Sequence, residues 1–134
     1  MTDRRPDCVY GVLVRDGKVF MTRYSEETVP ALGLPGGVFR PLAEDRKGEL
    51  RAHIHDQLGI AARAIWAQGA FMYRHPLDRR DRFCGFYTVW EWDGEVPADG
   101  GVWLDATEVQ ASELPASLRI LLLSVLATLA VRTR

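Results

Sequence analysis

This sequence predicts an α+β fold, an α/β/α sandwich built on one mixed β-sheet flanked by helices, and three observations lead to it. Short runs rich in β-branched and aromatic residues are separated by turn signals. One stretch in the first half repeats apolar residues every four positions, which is helical spacing. The C-terminal end is dense in leucine and opens on a proline, as helices often do. Mixed strands with interspersed helices pack as layers around a shared core. At 134 residues the chain fits a single domain, 1–134.

The elements follow in order. Cys8 to Val14 reads as a strand, and Asp16-Gly17 is a strong hairpin signal. Val19 to Tyr24 is the return strand. Residues 25–33 read as a loop, and Leu34-Pro35-Gly36-Gly37 as an irregular turn, because Pro and paired Gly punctuate regular elements. From about Glu44 to Leu58 the stripe Leu50, Ile54, Leu58 predicts a helix stopped by Gly59. Gly48 lies inside that helix, where Gly costs about 1 kcal/mol relative to Ala. Ala61 to Tyr73 and Phe83 to Trp92 read as strands joined by a charged loop. Val102-Trp103-Leu104 is a short strand, and Pro115 opens a last helix carrying Leu118, Leu121, Leu122, Val125 and Leu129. More than one face of that helix is apolar, so it is either deeply buried or part of a homodimer seam.

Composition narrows the function classes. The net charge of −1 gives no electrostatic footprint for nucleic acid or an anionic membrane. The apolar run Ile120 to Val131 is shorter than the ~20 residues that span a bilayer. Met1 to Asp7 is not followed by a signal-peptide core, so a cytoplasmic location is expected. Cys8 and Cys84 form no CxxC pair and read as buried free thiols in a reducing compartment, with a disulfide as the alternative.

The chemistry concentrates between Leu34 and Ile60. Paired glycines allow a sharp turn that brings backbone close to a ligand. On the helix that follows, Glu49, His53 and Asp56 lie at i, i+4 and i+7 with Gln57 beside them, turned away from the apolar stripe. With Leu34-Pro35-Gly36-Gly37 as lead-in, Glu44 as the first acidic residue, Ile54 in the apolar slot and Gly59-Ile60 as the close, this segment resembles the Nudix box of the Nudix hydrolase superfamily. Asp16-Gly17, Trp103-Leu104 and Leu114-Pro115 also sit where such proteins carry similar features. The resemblance implies a metal-dependent pyrophosphohydrolase of nucleoside diphosphate derivatives. In that family, carboxylates on the helix hold Mg²⁺ or Mn²⁺, and the ions offset phosphate charge and activate water.

The box departs from the family's pattern where the metal is held. The family's Arg-Glu-apolar-any-Glu-Glu reads Ala52-His53-Ile54-His55-Asp56-Gln57, and six residues rather than five separate Gly37 from Glu44. Arg51 is one place away from the family's Arg, a rotation of ~100° around a helix. Formal charge at the carboxylate positions falls from about −4 to about −2, which weakens hard-cation binding. The resemblance therefore assigns what catalysis remains to Glu44, His53 and Asp56. It assigns metal contacts to Gly37, Glu44, Asp56 and Gln57, with weak binding expected. A catalytically inactive domain that binds a nucleotide or a protein partner is the alternative.

Other residues carry paired readings. His53 and Asp56, with Glu49 or Glu44, suit a softer metal, or else form a solvated polar face. His55 reads as ordinary surface. Arg23 and Arg74 are the substrate-binding candidates, Arg23 because many Nudix proteins carry a basic residue there. His75, Arg79, Arg80 and Arg82 would complete a phosphate-binding mouth, or else pair with Asp78 and Asp81 within their own loop. Glu95 and Asp99 lie in a loop where the family can supply a further acidic residue. Trp66, Phe71, Trp90 and Trp92 either stack a base or fill the core. The partner expected is a nucleotide or other diphosphate-containing small molecule.

Overall fold

The computed structural model describes residues 7–23, 32–38, 45–74 and 79–132, with side chains as far as Leu129. The described strands are β1 (Cys8–Arg15), β2 (Lys18–Arg23), β3 (Leu32–Gly33), β4 (Gly36–Val38), β5 (Ala61–Arg74), β6 (Asp81–Asp93) and β7 (Gly101–Leu104). The described helices are α1 (Arg46–Leu58), α2 (Ala106–Ala111) and α3 (Ala116–Arg132). The sheet runs β3-β2-β1-β6-β5, with β4 pairing β1 and β7 pairing β2. β1 and β6 are parallel and the other pairs are antiparallel, so the sheet is mixed as the sequence predicts.

β1 organises the sheet. One of its flanks belongs to β6 from Cys8 to Leu13. The other is divided: Cys8 to Tyr10 pair with β4, and Val14 and Arg15 pair with β2. Alternation then sends its side chains to two cores. Val9 and Leu13 join Leu50, Ile54 and Leu58 of α1, together with Phe20, Ile65, Val89 and Trp92. Cys8, Tyr10, Val12 and Val14 join Phe86, Met21, Leu118, Leu122, Val125 and Leu126 beneath α3. Gly11 lies between Val9 and Leu13, facing α1. A Cβ there would stand 3.1 Å from Ile54 Cδ1 and 3.6 Å from Leu50 Cδ1.

Four local differences from the sequence reading have physical causes. Gly36 and Gly37 are not an irregular turn: they begin β4, because the β1 edge at Val9 and Tyr10 offers a ladder that outweighs glycine's weak strand preference. Leu32–Gly33 likewise adds a short strand to β2. Gly48 belongs to the helix start: Asp45 caps α1 by accepting the Gly48 N–H at 2.9 Å, and a Cβ at Gly48 would stand 2.6 Å from that carboxylate. Helix α2 carries a capping box in which Asp105 accepts the Glu108 N–H and Glu108 accepts the Asp105 N–H.

Helix α3 is buried along Leu118, Leu122, Val125 and Leu126, while Ile120 faces outward. Strand β5 forms the far edge of the sheet and carries register shifts between Ala62 and Ala64, Ala64 and Ile65, and Ala67 and Gly69. Such irregularities twist an edge away from further pairing. Among the described residues no helix is long and apolar enough to cross a membrane.

Candidate functional site

The box segment folds into two pieces that face each other, β4 and the polar side of α1. The N-cap at Asp45 starts α1, and Gly59, at φ +71°, ends it by donating its N–H to the His55 carbonyl at 2.8 Å. With the Leu50/Ile54/Leu58 stripe seated in the core, helical spacing turns His53 and Gln57 toward β4. The carboxamide of Gln57 then binds the Gly36 backbone from both ends. Its Oε1 accepts the Gly36 N–H at 3.0 Å, and its Nε2 donates to the Gly36 carbonyl at 2.7 Å.

His53 holds the next two residues. Its Nε2 lies 3.0 Å from the Val38 carbonyl oxygen. A carbonyl only accepts, so that nitrogen carries the proton. The imidazole rests against Gly37: a Cβ there would stand 2.8 Å from His53 Cε1. Gly36 has φ +145°, a conformation that favours glycine, and a Cβ on it would fall on the Val9 carbonyl oxygen. The Pro35 carbonyl accepts the Gly11 N–H at 2.9 Å, which fixes the entry into β4.

The structure thus brings together Gly37, His53 and Gln57. Asp56 turns outward: its side chain is 82% exposed, and its Oδ1 lies 3.9 Å from His55 Nδ1. Glu49 is buried on α1. Arg51 points to β5 and donates from Nε to the Ala62 carbonyl at 3.3 Å. Glu44 lies outside the described residues, as do His75 and Asp78. Arg23 is exposed at the end of β2. Arg74 ends β5 and donates from both nitrogens of its fork to Asp81, at 3.0 and 3.1 Å. That pairing holds the Asp81 carboxyl below its usual range.

The described donors do not fit a hard divalent cation. Such an ion takes roughly six oxygen ligands. Here the Gln57 oxygen is committed to Gly36, the His53 Nε2 bears a proton toward Val38, and Asp56 faces solvent. Among the described residues no three of His, Cys, Asp or Glu gather where they could hold a metal ion.

The aromatic candidates divide between core and surface. Trp92 is buried, and the Arg15 guanidinium sits 4.2 Å above its ring. Phe71 stacks on Phe86 with centroids 4.3 Å apart. Trp66 and Trp90 meet edge to face at 5.5 Å, and Trp66 keeps a solvent-facing side. A cavity of about 420 Å³ that no local pattern announces lies at the β1–β2 hairpin, lined by Arg15, Asp16, Lys18, Glu95, Val96 and Trp103. It forms because β7 pairs with β2 and brings Trp103 over the hairpin, a long-range pairing that has no local signature.

The fold is similar to that of solved MutT and Nudix hydrolase structures. Among solved structures, the E. coli ORF135 protein matches with a TM-score of 0.71 at 20% identity, over 95% of this chain and 92% of that one. The MutT NUDIX hydrolase from Burkholderia pseudomallei matches with a TM-score of 0.68 at 20% identity, over 90% and 97%. The MutT protein from Bacillus halodurans matches with a TM-score of 0.71 at 16% identity, over 91% and 82%. At these identities the likeness establishes the fold. No protein-family model matches the sequence, and no curated protein matches it.

Proposed function

We propose that this chain is a Nudix hydrolase-like protein that binds a nucleotide or another diphosphate-containing small molecule, with metal-dependent pyrophosphohydrolysis lost or strongly weakened. The observation that carries this reading is the engagement of Gln57 and His53 with β4. Two box positions that are carboxylates in the family hold His53 and Gln57 here, and both side chains serve to hold backbone. The scaffold around them is complete, down to the two glycines and the apolar stripe. That combination supports retained ligand binding more than retained Mg²⁺ or Mn²⁺ chemistry. Within the proposal, Arg23 and Arg74 meet phosphate, and Glu44 and Asp56 are the carboxylates left for a weakly held ion.

The test is calorimetry with a panel of nucleoside diphosphate compounds, with and without Mn²⁺, alongside a phosphate-release assay. Binding that needs no metal, with release at the blank rate, is expected. Mn²⁺-dependent release that disappears in Asp56→Asn would overturn the reading in favour of an active hydrolase. Self-association belongs to the proposal as well: exposed Ile120 supports a homodimer seam on α3, and a monomeric mass by light scattering at micromolar concentration would remove it.

A further inference from the structure

Cys8 and Cys84 are direct partners across the parallel β1–β6 ladder. They are the chain's two cysteines, and both side chains enter the core beneath α3 with about 1% of their surface exposed. Adjacent strands lie about 4.8 Å apart, inside the roughly 4.4–6.8 Å Cα window that a disulfide requires. The two thiols lie close enough for each to shift the other's acidity. The single Cys84 thiol proton turns to the Arg82 carbonyl oxygen, 3.4 Å away. We propose that Cys8 and Cys84 form a two-thiol redox site that takes small hydroperoxides as oxidant and closes to an intrachain disulfide. This is independent of the nucleotide-binding proposal.

The roles differ between the two sulfurs. The neighbouring Cys84 draws the Cys8 thiol down; burial opposes it, while Tyr10 and the Arg82 charge reinforce it. The neighbouring Cys8, with burial, pushes Cys84 up. Cys84 Sγ donates its proton to the Arg82 carbonyl at 3.4 Å, which leaves Cys8 as the attacking sulfur and Cys84 as the resolving thiol. The Cys8 sulfur attacks the peroxide, forming an S–O bond as the O–O bond breaks, and the departing oxide takes a proton to leave as alcohol or water. The Cys84 sulfur then attacks the sulfenic sulfur. An S–S bond forms, the S–O bond breaks, and the hydroxyl leaves as water with the Cys84 proton. Two thiols lose two electrons and two protons, and the peroxide gains them.

Burial sets the reagent class: a peroxide approaches water in size, whereas bulky maleimides are excluded from thiols this deep. Bridging in-register neighbours of a sheet fixed on both flanks distorts disulfide geometry, and strained disulfides are readily reduced. Cys8 also pairs with Val38, so the bond would form directly beside the strand that His53 and Gln57 hold.

The experiment treats the folded wild-type chain with hydrogen peroxide, then measures intact mass and thiol count in denaturant. The expected result is a loss of two hydrogens in mass and a fall from two thiols to none, both reversed by dithiothreitol. Cys84→Ser, quenched into denaturant with dimedone, should carry one adduct on Cys8, and Cys8→Ser should carry none at the same dose. If either serine variant fails to fold, the wild-type mass and thiol count still decide. Two thiols surviving in the wild type, stepwise oxygen addition without the loss of two hydrogens, or a disulfide-linked dimer would each overturn the proposal.

Discussion

Replacing Gln57 isolates the contact that holds the box together. Gln57→Ala removes two hydrogen bonds to Gly36, at 3.0 and 2.7 Å. At about 1 kcal/mol each, the loss is about 2 kcal/mol. For a chain of this length, about 3–5 °C of melting temperature accompanies each kcal/mol, so a fall of about 6–10 °C is expected. Gln57→Glu separates the two halves of the contact. One carboxylate oxygen still accepts the Gly36 N–H, but the other now faces the Gly36 carbonyl, acceptor against acceptor. Its loss should equal or exceed that of the alanine variant, although the glutamate is the family's residue at this position. Thermal unfolding followed by far-UV circular dichroism reads both variants. Melting temperatures within about 2 °C of wild type for both would show that β4 is held by its ladder with β1 alone, which would remove the structural reason for a neutral residue there.

Gly37→Ala should drive the His53 ring off β4 and break its bond to Val38, costing about 1–3 kcal/mol, with the His53 imidazole resonances shifting in NMR spectra. Ile54→Ala should cost about 2–5 kcal/mol in urea unfolding, because Ile54 is fully buried between α1 and β1. Tyr87 provides a pH signature. Burial pushes its phenol above the ordinary 10.0, with Arg46 opposing. Its contribution to stability is complete below pH 10 and declines above that, as the unfolded chain ionises first. Tyr87→Phe should flatten the alkaline loss in melting temperature, and an unchanged alkaline limb would contradict the assignment.

The parts of this fold that a sequence displays are those whose burial leaves a pattern. The Leu50/Ile54/Leu58 stripe is periodic because it buries one face of α1, while β1 and β6 read as near-continuous apolar runs because both of their faces are covered, and all lie where the pattern places them. Gly36-Gly37 was opaque for the opposite reason. Whether paired glycines form a turn or a strand depends on the edge they meet, and that edge is the first strand of the chain. Gly48 reads as a flaw until Asp45 is seen beside it. At the candidate site, the positions of His53 and Gln57 could be read from helical spacing. Their partners could not, because both bind backbone atoms of Gly36 and Val38, and backbone carries no sequence signal. Asp56 shares the helix but is offset in rotation, and it faces water.

Gly11 touches no ligand and carries no functional group, yet it sets the standoff between the helix and the sheet. Its missing Cβ leaves room for Ile54 and Leu50 of α1 against β1, and from the same helix His53 and Gln57 reach β4. A methyl group at position 11 would act as a shim beneath the helix. At 3.1 Å from Ile54 Cδ1, it would make that side chain, or the helix that carries it, give by a few tenths of an ångström. The tolerance of the site is thus divided unevenly: its chemistry can change residue by residue on the helix surface, while its spacing rests on one small residue in the strand below.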